Sequence, residues 1–95
     1  MTAASSLHAS TTEVKALAAI ATPNPSSTDF TIRVTSSDDA PVTLKIFDVA
    51  GRLLEVKTGL SANGTVKVAA SYKAGIYFAE LIQGNKKVRL KLLKQ

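Results

Sequence analysis

The chain has 95 residues and no cysteine, so it is expected to form a single small domain that no disulfide can stabilise. Its net charge is +5, but none of the three Phe and two Tyr residues interleaves with the dense basic run at residues 86–94, as a base-stacking platform would require. The longest apolar-rich stretch, residues 16–21, is far shorter than the ~20 residues that cross a bilayer. We therefore expect no nucleic-acid partner and no direct membrane insertion.

The N-terminal part of the chain has little to bury. Residues 1–12 are mostly Ser, Thr and Ala, a composition typical of a flexible linker. Residues 13–21 leave two alternatives open, because their apolar residues recur at helical spacing whereas Pro23, just beyond, imposes extended backbone on the residue before it. We favour a short strand over residues 18–22. The predicted division is a linker at residues 1–17 and one folded domain at residues 18–95.

Apolar and polar residues alternate over most of the chain beyond residue 28. The clearest case is Phe30, Ile32 and Val34, which are separated by polar residues. Clusters of Ser, Asp, Asn and Gly interrupt the alternating runs about every ten residues and indicate turns. The predicted strands cover residues 30–35, 42–46, 52–58, 65–68, 76–82 and 86–93.

This pattern predicts an all-β protein, an antiparallel β-sandwich of Ig-like type with six to seven strands in two sheets. Alternation gives each sheet one buried and one solvated face. Leu54 and Val56 are therefore expected on the inner face of their strand, and Tyr77 on the face opposite to its apolar neighbours. The charges of the closing strand, from Lys86 to Lys94, are expected on its solvated face.

The sequence contains no arrangement of residues that indicates catalysis or metal binding. His8 is the only histidine and falls in the predicted linker, so no histidine-centred triad and no transition-metal site is expected in the folded part. Asp38 and Asp39 lack the spaced ligands of a calcium loop, and we read them as turn residues. Glu55 and Glu80 lie in predicted strands without a catalytic context. We expect no enzyme activity, no metal and no cofactor.

Two polar residues at strand ends have structural roles that the sequence predicts. Asp48 precedes a tight turn in which Gly51 is free to adopt positive φ, and its carboxylate can accept backbone N–H bonds across that turn. Arg52 can pair with Asp48 or stay exposed. Tyr77 is expected to pack half-buried with its hydroxyl at the rim of the sheet.

Four motifs occur in order along the chain: Pro-Asn-Pro, Asp-x-x-Gly-Arg, Gly-x-Tyr and a lysine-bearing strand at the C-terminus. Together they resemble the type A C-terminal sorting domain of type IX secretion system cargo, over roughly residues 18–95. Each motif is weak alone, but the set in this order is specific. The residues that match the motifs are Pro23, Asn24, Pro25, Asp48, Gly51, Arg52, Gly75, Tyr77, Lys91 and Lys94.

The resemblance implies an exported protein of a Gram-negative bacterium that reaches the cell surface or the medium. It implies transit of the periplasm and recognition of the domain by the outer-membrane translocon and its accessory or shuttle proteins. It further implies removal of the domain by a cell-surface sortase that joins the cargo to an anionic lipopolysaccharide. The cleavage point would fall within residues 1 to about 20.

The surface that such partners read is expected on the closing strand, because an unpaired edge can accept a strand from a partner. It would include Lys86, Lys87, Lys91 and Lys94 together with the turn at residues 48–52. Two other interpretations stay open: an Ig-like module that binds carbohydrate or protein, and a homodimer formed through an exposed edge strand.

Overall fold

The computed structural model describes residues 16–95, and within them the chain forms seven β-strands and no helix. The all-β prediction is confirmed, and the opening segment is a strand, which settles the alternative left open by the sequence. Residues 1–15 lie outside the described residues, and they include His8 and most of the predicted linker at residues 1–17. The strands are β1 (Leu17–Thr22), β2 (Phe30–Ser36), β3 (Val42–Asp48), β4 (Leu53–Leu60), β5 (Thr65–Val68), β6 (Gly75–Gln83) and β7 (Lys86–Lys94).

The strands form two antiparallel sheets, one with the order β1-β2-β5 and one with the order β4-β3-β6-β7. The core lies between the sheets, since β2 and β3 each bury every second residue. β1 adopts strand geometry because all six of its residues pair with β2, and Pro23 ends it. The fully buried side chains include Phe30, Ile32, Leu44, Ile46, Leu81 and Leu92.

The prediction for the inner face of β4 was wrong. Leu54 and Val56 are 44% and 46% exposed on the outer face, and Glu55 and Lys57 lie on the inner face instead. Glu55 is opposite Ile46, a buried residue of β3, so the charged residues follow the inward side of the sheet. The register of β4 shifts beside Phe47, which leaves both Leu53 and Leu54 exposed.

The faces of β6 also differ from the prediction in part. Tyr77 lies on the same side as buried Ala79 and Leu81, whereas Ile76 and Phe78 lie on the outer face. Tyr77 packs half-buried against the core, as its residue type predicted.

Lys94 corrects the prediction that the closing strand carries its charges on the solvated face. Its residue is only 7% exposed, and it lies on the inner side of β7 with Leu92. Lys87, Arg89 and Lys91 are exposed on the outer side, as predicted.

A buried polar junction joins the two sheets at the end opposite to the start of β6. The Ser36 hydroxyl donates to Oε1 of Gln83 at 2.6 Å, which links β2 to β6. Nε2 of Gln83 donates in turn to the carbonyl oxygens of Asp38 and Ala40, and Asn63 bonds both main-chain groups of Ser36. All these buried groups are satisfied, so the junction holds one arrangement of the loops at this end.

Candidate recognition surface

The four sequence motifs meet at one end of the four-stranded sheet. Asp48, at the end of β3, is the register partner of Tyr77 in β6, and Tyr77 is the partner of Leu92 in β7. Gly75 is opposite Lys94 one step further along the same pair of strands. Residues scattered over some seventy positions therefore form one contiguous region, which we call the motif end.

Asn24 of the Pro-Asn-Pro motif binds the free edge of β7. Its Nδ2 donates to the carbonyl oxygen of Lys91 at 2.7 Å, and its Oδ1 accepts the backbone N–H of Leu93 at 2.9 Å. A side-chain amide has one donor and one acceptor group in a plane, so it can replace a neighbouring peptide at a strand edge. The adjacent prolines have no N–H to compete for these groups.

Ser26 continues this contact along β7. Its backbone N–H donates to the carbonyl oxygen of Leu93 at 3.0 Å, and its own carbonyl oxygen accepts the N–H of Gln95 at 2.8 Å. The Ser26 hydroxyl donates to the carbonyl oxygen of Asp29 at 2.6 Å and so shapes the loop that follows. The edge of β7 is thus covered from Lys91 to Gln95, and β1 lies close to β7 without being its partner in a sheet. This coverage corrects the expectation of an unpaired edge for the second half of the closing strand.

Asp48 organises the turn between β3 and β4, as the sequence predicted. Its Oδ1 accepts the backbone N–H groups of Ala50 and Arg52 at 3.0 and 2.9 Å, and Gly51 adopts a φ of +89°. Hydrogen bonding from the Arg52 backbone, reinforced by the Arg52 guanidinium, holds the pKa of Asp48 below its ordinary value. The turn is therefore most stable when Asp48 is ionised.

Arg52 lies at the surface of the motif end. Its Nε donates to Oδ2 of Asp48 at 2.8 Å, yet 80% of its side chain is exposed. A surface pair of this kind contributes little to stability. The guanidinium therefore leaves most of its donors available to a partner.

Tyr77 supports the motif end from inside the sheet. Its hydroxyl donates to the carbonyl oxygen of Lys73 at 2.8 Å, and its ring centroid lies 4.9 Å from that of Tyr72. The Tyr72 hydroxyl in turn donates to Oε1 of Glu55 at 2.7 Å. This hydrogen bond lowers the pKa of Glu55, while burial and the Glu55 carboxylate raise the pKa of Tyr72.

Lys94 fastens the connection between β5 and β6 to β7. Its ammonium donates to the carbonyl oxygens of Ala69 at 2.5 Å and Ala70 at 3.2 Å. Ala69 has a φ of +68°, a left-handed conformation that only a few per cent of non-glycine residues adopt. Lys94 is thus a buried structural cation rather than a surface charge.

Lys86 and Lys87 lie at the other end of β7 from the motif end. Lys86 pairs with Asp38 at 3.5 Å and Lys87 with Glu80 at 3.8 Å. The structure therefore separates these two residues from Lys91 and Lys94, with which the sequence analysis had grouped them.

Several contacts of this region could not be found from the sequence. Ser26, Tyr72 and Glu55 carry no local signal for the partners that they bind, since those partners are distant in sequence. On the outer face, the Arg89 guanidinium lies 4.8 Å from the ring centroid of Phe78, a cation–π geometry. Only the pairing of β6 with β7 brings these two side chains together.

Within residues 16–95 no group of three or more His, Cys, Asp or Glu could hold a metal ion. A surface pocket of about 220 Å³ lies beside β5 and β4, with Asp29, Glu55, Lys67 and Tyr72 among its lining residues. Residues 16–95 contain no helix that is long and apolar enough to cross a membrane.

These features define a small β-sandwich in which some motif residues, such as Arg52, are exposed at one end. Others, such as Tyr77 and Lys94, are partly or fully buried and stabilise that end. A family model described as "Secretion system C-terminal sorting domain" matches residues 21–95, and the chain belongs to this family. A search of curated proteins returned no match. The chain therefore carries a type IX secretion sorting signal, a kind of domain that is not catalytic, and such a signal implies export to the cell surface or extracellular space.

Proposed function

We propose that the β-sandwich is a sorting signal that directs an upstream cargo protein through the outer membrane of a Gram-negative bacterium. The cargo enters the periplasm first, and the translocon with its accessory or shuttle proteins then recognises the folded domain. Family membership supports this reading, because a sorting domain works on the protein to which it is attached. The predicted division into a linker at residues 1–17 and a folded unit at residues 18–95 places the boundary between them within one residue of the start of β1 at Leu17.

The surface that is read is the motif end, centred on the turn at residues 48–52 and on the edge where Asn24 meets β7. The convergence of all four motifs on one end carries this proposal. The same sorting signal must be recognised on many unrelated cargo proteins. A surface on a stable, independently folded domain keeps the same shape on every cargo, whereas a flexible peptide does not. The exposed guanidinium of Arg52 is the charged group best placed to contact a partner.

A cell-surface sortase then cleaves upstream of the sandwich, on the N-terminal side of β1, and joins the cargo to an anionic lipopolysaccharide. The position is proposed because proteases cut accessible segments that precede a folded unit. Lys94 is excluded from direct recognition by its burial, and it acts by holding β7 in place.

Fusion of residues 18–95 to a periplasmic reporter tests the proposal in a host with the secretion machinery. The reporter should reach the cell surface or medium, and it should remain in the periplasm when the host lacks the translocon. A reporter retained in the periplasm of a competent host would refute the proposal.

A pair of matched single variants then tests whether the motif end is the surface that the translocon recognises. Arg52→Ala and Lys87→Ala each remove an exposed cation from a surface ion pair, at opposite ends of the sandwich, with side chains 80% and 61% exposed. Export should fall in Arg52→Ala and stay normal in Lys87→Ala, while both variants keep the thermal stability of the parent. Equal export by both variants would contradict the assignment of the motif end.

A further inference from the structure

β4 is the open edge of the four-stranded sheet. The sheet order places β4 and β7 at its two edges, and Asn24 with Ser26 covers half of β7. Along β4, Leu53, Leu54 and Val56 are 51%, 44% and 46% exposed. Within residues 16–95 no strand other than β3 pairs with β4, and an apolar edge strand of eight residues is a site for pairing with another strand.

The sequence of β4 is complementary to itself when it is read in the opposite direction. Glu55 and Lys57 flank Val56 symmetrically, and both charged side chains lie on the inner side of the strand. In an antiparallel pair centred on Val56, Glu55 of each strand is opposite Lys57 of the other. Opposite charges placed directly across two strands stabilise their pairing.

We propose that β4 binds β4 of a second copy of this chain, in an antiparallel pair centred on Val56. The two four-stranded sheets then form one continuous eight-stranded sheet about a twofold axis, as an isologous dimer requires. The exposed side chains of Leu54 and Val56 lie beside Thr58 and Val56 of the second copy, and these cross-strand contacts reduce their exposure to water.

Charge complementarity identifies the occupant as a second copy. Lys57 already lies 3.1 Å from Glu55 of its own strand, so the dimer would contain an alternating ring of two acids and two bases. The partner strand must offer a base and an acid two residues apart around a small apolar residue, and β4 offers that pattern itself. This inference concerns an edge remote from Lys91 and Leu93 and does not depend on the export function.

Sedimentation equilibrium of the 95-residue chain tests the proposal directly. A single edge-to-edge contact is a small interface, so a monomer–dimer equilibrium is expected over the range of about 1 µM to about 1 mM. A chain that stays monomeric over that range would overturn the proposal.

One pair of variants tests whether β4 forms the contact. Val56→Lys should abolish the dimer, because two ammonium groups would face each other at its centre. Ile20→Lys is the matched control: Ile20 is also an exposed apolar residue of an edge strand, β1, and its replacement should leave the dimer unchanged. Circular dichroism should show that both variants are folded, and a dimer that survives Val56→Lys would refute the β4 interface.

A charge exchange tests the register. Lys57→Glu places two acids opposite each other, and Glu55→Lys places two bases opposite each other, so each variant should self-associate at least roughly tenfold more weakly than the parent. A mixture of the two variants restores opposite charges and should form a heterodimer. Absence of association in the mixture, with both chains folded, would exclude the Val56-centred register.

Discussion

The side-chain amide of Asn24 donates a hydrogen bond to the main chain of Lys91 at 2.7 Å, across 67 positions in the sequence. This contact explains why a Pro-Asn-Pro motif near the start of the domain belongs with a strand at its end. The motif closes part of a sheet edge, and it does so with a side chain in place of a strand. Its conformational stiffness positions the amide before contact, which reduces the entropy lost on ordering.

Replacement of Asn24 by Ala should destabilise the domain by about 0.5–1.5 kcal/mol, since two exposed main-chain groups of β7 exchange a protein partner for water. Thermal unfolding measures the loss, and hydrogen exchange should accelerate at the Leu93 amide. Asn85→Ala is the control, because Asn85 lies exposed in the turn between β6 and β7. Equal melting temperatures for the two variants would show that the edge contact contributes nothing.

Lys94→Ala should cost about 2–3 kcal/mol, because the carbonyl oxygens of Ala69 and Ala70 lose a charged donor inside the protein. The measurement is the free energy of unfolding from urea denaturation. Lys91→Ala serves as the matched control, since Lys91 is exposed on the same strand and should change stability by less than about 0.5 kcal/mol. Similar losses in both variants would argue against a structural role specific to Lys94.

Acidification should weaken the turn between β3 and β4 through Asp48. The pKa of Asp48 is lower in the folded protein than its ordinary value of 3.8, so its stabilisation is present above that value and disappears as the pH falls through the lowered pKa. The urea midpoint should therefore decrease more steeply with acidification in the parent than in Asp48→Asn. Parallel pH profiles for the two proteins would contradict this account.

Tyr72→Phe should remove the hydrogen bond from the Tyr72 hydroxyl to the Glu55 carboxylate. The Tyr72 hydroxyl is the main cause of the lowered pKa of Glu55, so that pKa should rise in the variant, as measured by NMR titration of the carboxyl carbon. The absorbance titration at alkaline pH should also lose the tyrosine ionisation that occurs at the highest pH, because burial raises the pKa of Tyr72 above the ordinary value of 10.0. A Glu55 pKa that does not change would show that Tyr72 does not bind it in solution.

Local features were predicted well from the sequence where the cause is local. The Asp48 turn follows from a short acid placed four residues before Arg52, with a glycine between them, and every group involved is within five residues. The strands follow from alternation and from turn residues at regular spacing. The motif residues were found by their order along the chain, and the closing strand was expected to share a surface with the turn at residues 48–52. The placement of Asn24 and Gly75 at the same end of the sheet was not predicted.

The errors in the predicted faces have two different origins. Alternation with a period of two divides a strand into two faces, but it does not say which face meets the core when both are partly apolar. In β4 the apolar residues Leu54 and Val56 lie outside, since the pairing of Glu55 with Ile46 fixes the other side inward. The error at Lys94 has another cause: alternation places Lys94 on the same face as Leu92, but the prediction grouped it with the lysines of the outer face because of its charge. Its burial is possible because the carbonyl oxygens of Ala69 and Ala70 accept hydrogen bonds from its ammonium group.

By itself, the sequence determined that this protein is a cysteine-free, all-β domain with a sorting-signal pattern, because turn chemistry and strand periodicity are properties of neighbouring residues. The tertiary structure alone decided which edge is covered, which lysine is buried and which motifs share a surface. Those properties depend on the order of the strands within each sheet, and that order results from packing the whole core at once.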